Sequence, residues 1–384
     1  MILSICMIVK NEERNLRRCL DSLPLIHRPW CELIIVDTGS TDSTKRIALE
    51  YTGLVFEHKW QNSFSEARNL SISYAKGRWV MVIDADEQLT QDSLEFLERF
   101  LVNPNSVQRP TGFVTMRSFT NKACTNYSDG LLQRLFLNSE EFCFEGAVHN
   151  RPTSPAPYAF LPQIVLNHFG YIFEGNAELK AEKVIERSLP LLLEGYEKDR
   201  TDMHNLVHLI KTYAALRDAD NIIKYGTEWR ALMDAVEFNE GWFSHLEGYV
   251  SLIHAYLDRD DIDGALVIEA EARQRSDRLS LIYIALGDYY RKHDQDDEAA
   301  AHYERVVGIE STQGSVYELL LPSDVRLAMP LLYNWLAIYY FNRGDLDTAG
   351  EYTNIGIDLN KGNMKIRWDL WNERKSAICD SAVL

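Results

Sequence analysis

The first 171 residues alternate between two patterns that only a layered fold satisfies together. Short apolar runs rich in β-branched residues, at 2–9, 33–36, 55–58 and 79–83, are separated by stretches with helical spacing at 11–23, 43–51 and 64–75. The run 2–9 is almost continuously apolar, as expected of a strand covered on both faces rather than wet on one. Strands alternating with helices predict crossover connections, and so a Rossmann-like, mainly parallel sheet with helices on its faces. In such sheets ligands bind outside the carboxyl ends of the strands. Two of those ends carry chemistry here. One run leads into Asp37-Thr38-Gly39-Ser40-Thr41-Asp42, the other into Asp84-Ala85-Asp86-Glu87.

Beyond about Glu174 the strand signal vanishes. Three stretches then share one layout: Ala255-Tyr256 followed by Ala265, Tyr289-Tyr290 by Ala299, and Tyr339-Tyr340 by Ala349. Tyr256 and Tyr290 are 34 residues apart and Tyr290 and Tyr340 are 50 apart, the surplus matching an inserted loop at 311–324. A helix-turn-helix unit of 34 residues is the tetratricopeptide period, in which each helix pair buries its apolar face only against its neighbours. A weaker unit spans 206–229, and 174–192 reads as a helix bridging the halves. The expected organisation is an α/β domain at 1–175 followed by an all-α, tetratricopeptide-like domain at 176–384. Its concave surface suits another chain or a second copy of this one.

The chain holds 40 Lys and Arg against 57 Asp and Glu, a net charge of −17, so no nucleic-acid partner is expected. Residues 1–175 account for −3 of that charge and the rest for −14. The acidic excess is a solvated helical face or a preference for a basic acceptor. No apolar run reaches the roughly 18 residues needed to span a bilayer. The amino terminus lacks a basic leader and a small-residue cleavage site, which predicts a cytoplasmic protein. Six cysteines with no CxxC pair form neither a disulfide framework nor a zinc site, and Cys6 belongs to a core strand.

Asp84 and Asp86 supply hard oxygen donors of the kind Mg2+ or Mn2+ prefers, with substrate phosphates and water completing the shell. An extended backbone there would turn both side chains the same way. Asp37 can accept from a base or ribose. Residues 38–41 offer hydroxyls and an open backbone at the start of a helix, which favours anions; an ordinary turn capped by Asp42 or Ser40 has the same composition. Arg68 can make a forked contact with phosphate.

Taken in order and spacing, SICMIVKNEE (4–13), VDTGSTDST (36–44), FSEARN (64–69), VIDADE (82–87), FEGAVHN (144–150) and NHFGY (167–171) resemble the family 2 glycosyltransferases of the GT-A fold. A subset of that family carries a tetratricopeptide extension. The resemblance implies a nucleotide-sugar donor, most simply a UDP-sugar, and Mg2+ or Mn2+ as cofactor. It implies that Lys10, Asn11 and Glu12 border the nucleotide, that Asp37 holds base or ribose, and that Arg68 lies near nucleobase or diphosphate. Asp84 would sit by ribose and metal, with Asp86 the main metal ligand. His168 would be a further metal or diphosphate contact, or a core histidine bonded to backbone. Related chains often read G-x-V-H-E, the terminal Glu being the candidate catalytic base. Here the stretch is Gly146-Ala147-Val148-His149-Asn150, and an amide takes no proton at neutral pH. Glu145 or His149 serves instead, or the acceptor needs little deprotonation, as a thiol would. The latter resembles the peptide S-glycosyltransferases of glycosylated bacteriocin pathways. The family implies inversion by direct displacement. The expected acceptor is a protein or peptide held by the helical half, with a homodimer through the repeats. A surface-polysaccharide glycosyltransferase and a catalytically weak scaffold are the other readings. Arg134 and residues 129–132 line the acceptor side or are structural.

Overall fold

Strands β1 (Leu3–Val9), β2 (Cys31–Asp37), β3 (Val55–Glu57) and β4 (Trp79–Val82) form the parallel half of one sheet, in the order β3-β2-β1-β4. The chain here is a computed structural model in which residues 1–125, 127–153, 157–170, 172, 185, 188–235, 245–276, 279–311 and 323–359 are described. The sheet continues through β5 (Glu87–Leu89), β6 (Thr111–Phe119), β7 (Tyr127–Leu137) and β10 (Tyr158–His168) in the order β4-β7-β6-β10-β5. There β7 is antiparallel to β4 and β6, β10 is parallel to β6, and β5 is antiparallel to β10. Two further strands, β8 (Phe144–Glu145) and β9 (Arg151–Pro152), make a separate ribbon.

Both faces of the parallel half are covered, which explains the unbroken apolar runs. Leu3, Ile5, Met7, Leu33, Ile35, Trp79 and Met81 pack on one face, and Cys6, Ile34, Val80 and Val82 join Phe136, Phe142 and Phe144 on the other. Cys6 is fully buried, and burial pushes its thiol well above the usual range. Helices α1 (Leu16–Asp21), α2 (Thr44–Tyr51) and α3 (Phe64–Ser73) supply the crossovers between the parallel strands, and α4 (Ser93–Val102) links β5 to β6. The expected helix over 11–23 shortens to α1. Asn11 takes a left-handed φ of 55°; its backbone amide donates to Ser40 Oγ and its side-chain Oδ1 accepts the Thr41 amide, both in the loop after β2. That tie holds 10–15 as a loop.

The contacts divide the chain into two units, Met1–Thr212 and Tyr213–Leu384. The expected boundary at 175 falls outside the described residues, as does most of the loop expected at 311–324. The helices that follow are α5 (Leu189–Lys198), α6 (Met203–Ala215), α7 (Ala219–Met233), α8 (Leu246–Asp258), α9 (Ile262–Arg275), α10 (Ser280–Lys292), α11 (Asp296–Ser311), α12 (Ser323–Asn342) and α13 (Leu346–Leu359). No helix among the described residues is long and apolar enough to cross a membrane.

Within the second unit one turn recurs. The amides of Asp218, Asp261, Gln295 and Asp345 donate to the carbonyls of Tyr213, Tyr256, Tyr290 and Tyr340 at 3.0, 2.9, 3.0 and 3.1 Å. The residue before each amide, Arg217, Asp260, Asp294 or Gly344, is left-handed. Tyr213 therefore marks the weaker repeat that the spacing left indistinct. A Cβ on Gly287 would collide with the ring of Tyr303, so glycine is what lets α10 and α11 close on each other.

Candidate functional site

Strand β1 is flanked by β2 on one side and β4 on the other, and the chain visits them in separate excursions. The carboxyl ends of these strands therefore open at a switch point, where a crevice forms. The loops after β1 and β2 are stitched together there. The Thr38 amide and hydroxyl both donate to Val9 O, at 2.9 and 3.1 Å. The Glu12 amide donates to Thr44 Oγ1 at 2.7 Å, and the Thr41 amide to Asn11 Oδ1 at 2.8 Å. Lys10 is exposed at the rim. Asn11 and Glu12 use their polar groups largely in this stitching.

Asp37 ends β2 and is 3% exposed. Its Oδ1 accepts the amides of Gly39 and Ser40 at 2.9 and 2.7 Å, an Asx turn that fixes the carboxylate. Its Oδ2 is buried with no partner. The N-cap position of α2 is Ser43, which makes no side-chain cap bond; Asp42 before it accepts the Thr44 amide at 2.9 Å and the Glu13 amide at 3.2 Å.

The residues after β4 depart from the extended geometry expected. The Glu87 amide donates to Asp84 O at 3.0 Å, so 84–87 is a turn, needed because β5 must leave to pair with β10. Asp84 and Asp86 consequently serve different neighbours. Asp84 Oδ1 receives Arg68 Nη2 at 2.8 Å, and Oδ2 receives Arg134 Nη2 at 3.2 Å. Burial would raise the Asp84 carboxyl, but Arg68 and then Arg134 hold it well below the usual carboxylate range. Arg134 also donates to Glu87, which is 1% exposed. Burial pushes Glu87 up to about 7 against the pull of Arg134.

Asp86 instead faces His168, with Oδ2 3.5 Å from Nε2. The pairing of β5 with β10 sets His168 opposite Glu87 and so brings the imidazole to the turn. Ser118 Oγ lies 3.2 Å from His168 Nδ1, and Phe169 N donates to Asp86 O at 3.1 Å. A Cβ on Gly170 would strike Asp86 Oδ2 and come within 2.6 Å of His168 Nε2, so only glycine leaves this carboxylate–imidazole pair uncovered. Among the described residues no three His, Cys, Asp or Glu side chains gather into a ready cage. One carboxylate and one imidazole suit a divalent ion that keeps water and substrate phosphate in its shell.

Arg68 Nε and Nη1 and Arg134 Nε are buried donors without acceptors. The cysteine next door is inert, because burial and then the carboxylates around it push the Cys19 thiol far up.

The 144–150 stretch is held by α3. Asn69 brackets Phe144, accepting its amide at 2.7 Å and donating to its carbonyl at 2.9 Å, and Phe64 N donates to Ala147 O at 2.7 Å. Glu145 lies on the exposed ribbon, 3.2 Å from Arg151. His149 is left-handed at φ 49° and stacks on His208 with centroids 4.1 Å apart. His204 Nε2 lies 2.9 Å from its carbonyl oxygen. Asn150 Nδ2 is buried without a partner. Of the segment 129–132, Asp129 is gripped at both oxygens by Arg117, at 2.9 Å each.

Sequence reasoning missed Glu87 and Gly170 and assigned no partner to Arg134. Glu87 stood in view beside the aspartates, and Gly170 two places after His168, but pairing across β7 and β10 is not written in local spacing.

Residues 4–144 match the family model described as "Glycosyl transferase family 2". A TPR repeat-containing protein of Synechococcus elongatus is 31% identical over 236 residues, covering 58% of this chain and 56% of that one. The SPbeta prophage-derived glycosyltransferase SunS of Bacillus subtilis is 28% identical over 202 residues, covering 48% and 44%. This chain thus spans about half the length of the curated relatives it matches. The crystal structure of MamA aligns with a TM-score of 0.37 at 17% identity, covering 50% of this chain and 99% of that one.

Proposed function

On the premise that residues 4–144 are a family 2 glycosyltransferase domain, we propose that this chain moves a sugar from a nucleotide diphosphate, most simply UDP, to a protein or peptide acceptor. One observation carries the reading: at the carboxyl ends of β2 and β4 a buried acceptor, Asp37 Oδ2, and buried donors on Arg68 stand without partners. A nucleoside offers N–H and O–H groups to the first, and a diphosphate offers oxygens to the second. Lys10, Asn11 and Glu12 border the nucleotide.

Asp86 and His168 would hold Mg2+ or Mn2+, which neutralises the departing diphosphate when bound. Arg68 shares that task by charge and direction, and its shield of protein keeps the interaction strong. The acceptor attacks the anomeric carbon from the face opposite the diphosphate, with inversion. His149 or Glu145 takes its proton, a contribution of roughly 10²–10⁴-fold. A thiol acceptor is the second reading, favoured by Asn150 at the position where a carboxylate base would stand. The division of labour is catalysis over 1–175 and acceptor binding or homodimer formation over 176–384.

The test is release of nucleoside diphosphate from a panel of nucleotide sugars with Mg2+ or Mn2+, followed by intact-mass measurement of candidate acceptors. Turnover of at least one UDP-sugar is expected, with His149→Ala slowing transfer more than it slows donor binding. No turnover and no calorimetric heat with UDP or GDP and Mn2+, from folded protein, would sink the reading.

A further inference from the structure

The turn after β4 holds its charged groups in a closed ring. Arg134 meets Asp84 Oδ2 at 3.2 Å and also donates to Glu87 Oε1, while Glu87 Oε2 accepts the Asp84 amide at 3.0 Å. Arg68 braces the other oxygen of Asp84 from α3. Arg134 is within reach because β7 runs antiparallel to β4, with Leu135 opposite Met81 at the strand's end. Asp86 is left outside the ring, facing His168.

We infer that Arg134 is a positioning residue for the metal and diphosphate, one that fixes both ends of the 84–87 turn so that Asp86 faces His168 and Asp84 is withdrawn from the ligand set. The inference rests on the proposed glycosyltransferase reading. Both Asp84 oxygens already face guanidinium groups, and a cation approaching them would meet two positive charges at close range. A buried Arg–Glu pair is weak evidence for stability, because desolvation offsets much of its attraction. Here the pair is tied to a backbone amide of the turn, so its geometry becomes the geometry of Asp86. Outer partners of this kind commonly set ligand orientation.

The test is binding of Mn2+ in the presence of UDP, followed by calorimetry alongside thermal unfolding. Arg134→Met is expected to weaken binding by about 10–100-fold. Arg134→Lys, which reaches one carboxylate as a point charge, restores part of it, and Glu87→Gln, whose amide can accept only one of the two hydrogen bonds that Arg134 and the Asp84 amide donate, loses part of the affinity. Asp86→Asn loses more Mn2+ affinity than Asp84→Asn. Wild-type binding by folded Arg134→Met, or equal losses from the two aspartate variants, overturns the assignment. Should Arg134→Met fail to fold, the Lys variant and the aspartate pair decide. A wild-type chain that binds no Mn2+ with UDP overturns the proposed activity and this inference together; binding by wild type isolates the inference.

Discussion

Aspartates do opposite work in the two units. In the helical unit they are consumed by neighbours: Asp260 accepts Tyr289 Oη at 2.7 Å and faces His293, Asp297 accepts Tyr339 Oη at 2.7 Å and Arg343, and Asp288 accepts Tyr303 Oη at 2.6 Å. Asp218, Asp261 and Asp345 cap the helices that follow them. In the sheet unit, Asp37 keeps the one buried carboxylate oxygen without a partner among the described residues. Much of the acid in the helical half is therefore repeat-to-repeat fastening, and its −14 is weak grounds for inferring a basic acceptor. Charge that is satisfied holds a fold together; charge left unsatisfied waits for a ligand.

The sharpest way to break this contrast is to remove one carboxylate from the proposed donor site and one from the repeat fastening. Asp86→Asn should lower donor turnover by about 10²–10³-fold with little change in thermal midpoint, whereas Asp260→Asn should leave turnover intact. Equal effects on turnover would erase the distinction. A middle-sized effect belongs to packing: Gly287→Val forces a side chain into Tyr303 and should cost the helical unit about 1–3 kcal/mol, read by chemical denaturation, with UDP binding unchanged. The smallest is a pH effect. His302 stacks on Tyr283 and Tyr290; burial, then Arg305, lowers its imidazole from 6.5 to about 4. The unfolded chain takes this proton near 6.5 and the folded chain only near 4. Its contribution is thus complete above pH 6.5 and is lost as pH falls toward 4. His302→Phe should flatten the fall in unfolding midpoint between pH 7 and 5; an unchanged slope would remove this residue from the account.

The strands were legible because burial on both faces of the sheet leaves long apolar runs, as at Leu3–Val9, and the repeats because Tyr256, Tyr290 and Tyr340 recur in register. Asp37, Arg68 and Asp86 could be singled out because their strand and helix ends are local features. The antiparallel course of β7 could not, since Tyr127–Leu137 shows mixed burial and its partners are distant in sequence. Arg134 therefore stayed without a home. Tyr213 was faint for another reason: its repeat keeps the turn's backbone geometry while its side-chain pattern differs. The separate fates of Asp84 and Asp86 depended on a turn that alternation along a strand does not foresee.

Helix α3 is a lever with both arms engaged. Arg68 rests on Asp84 while Phe64 and Asn69 grip the strip at 144–147. A ligand on the free Nε and Nη1 of Arg68 would thus bind to the same short helix that holds the 144–147 strip. If the proposed transfer runs at this site, donor-first, nucleotide-last order is the expected outcome, checked by product-inhibition patterns; random order would uncouple the two arms.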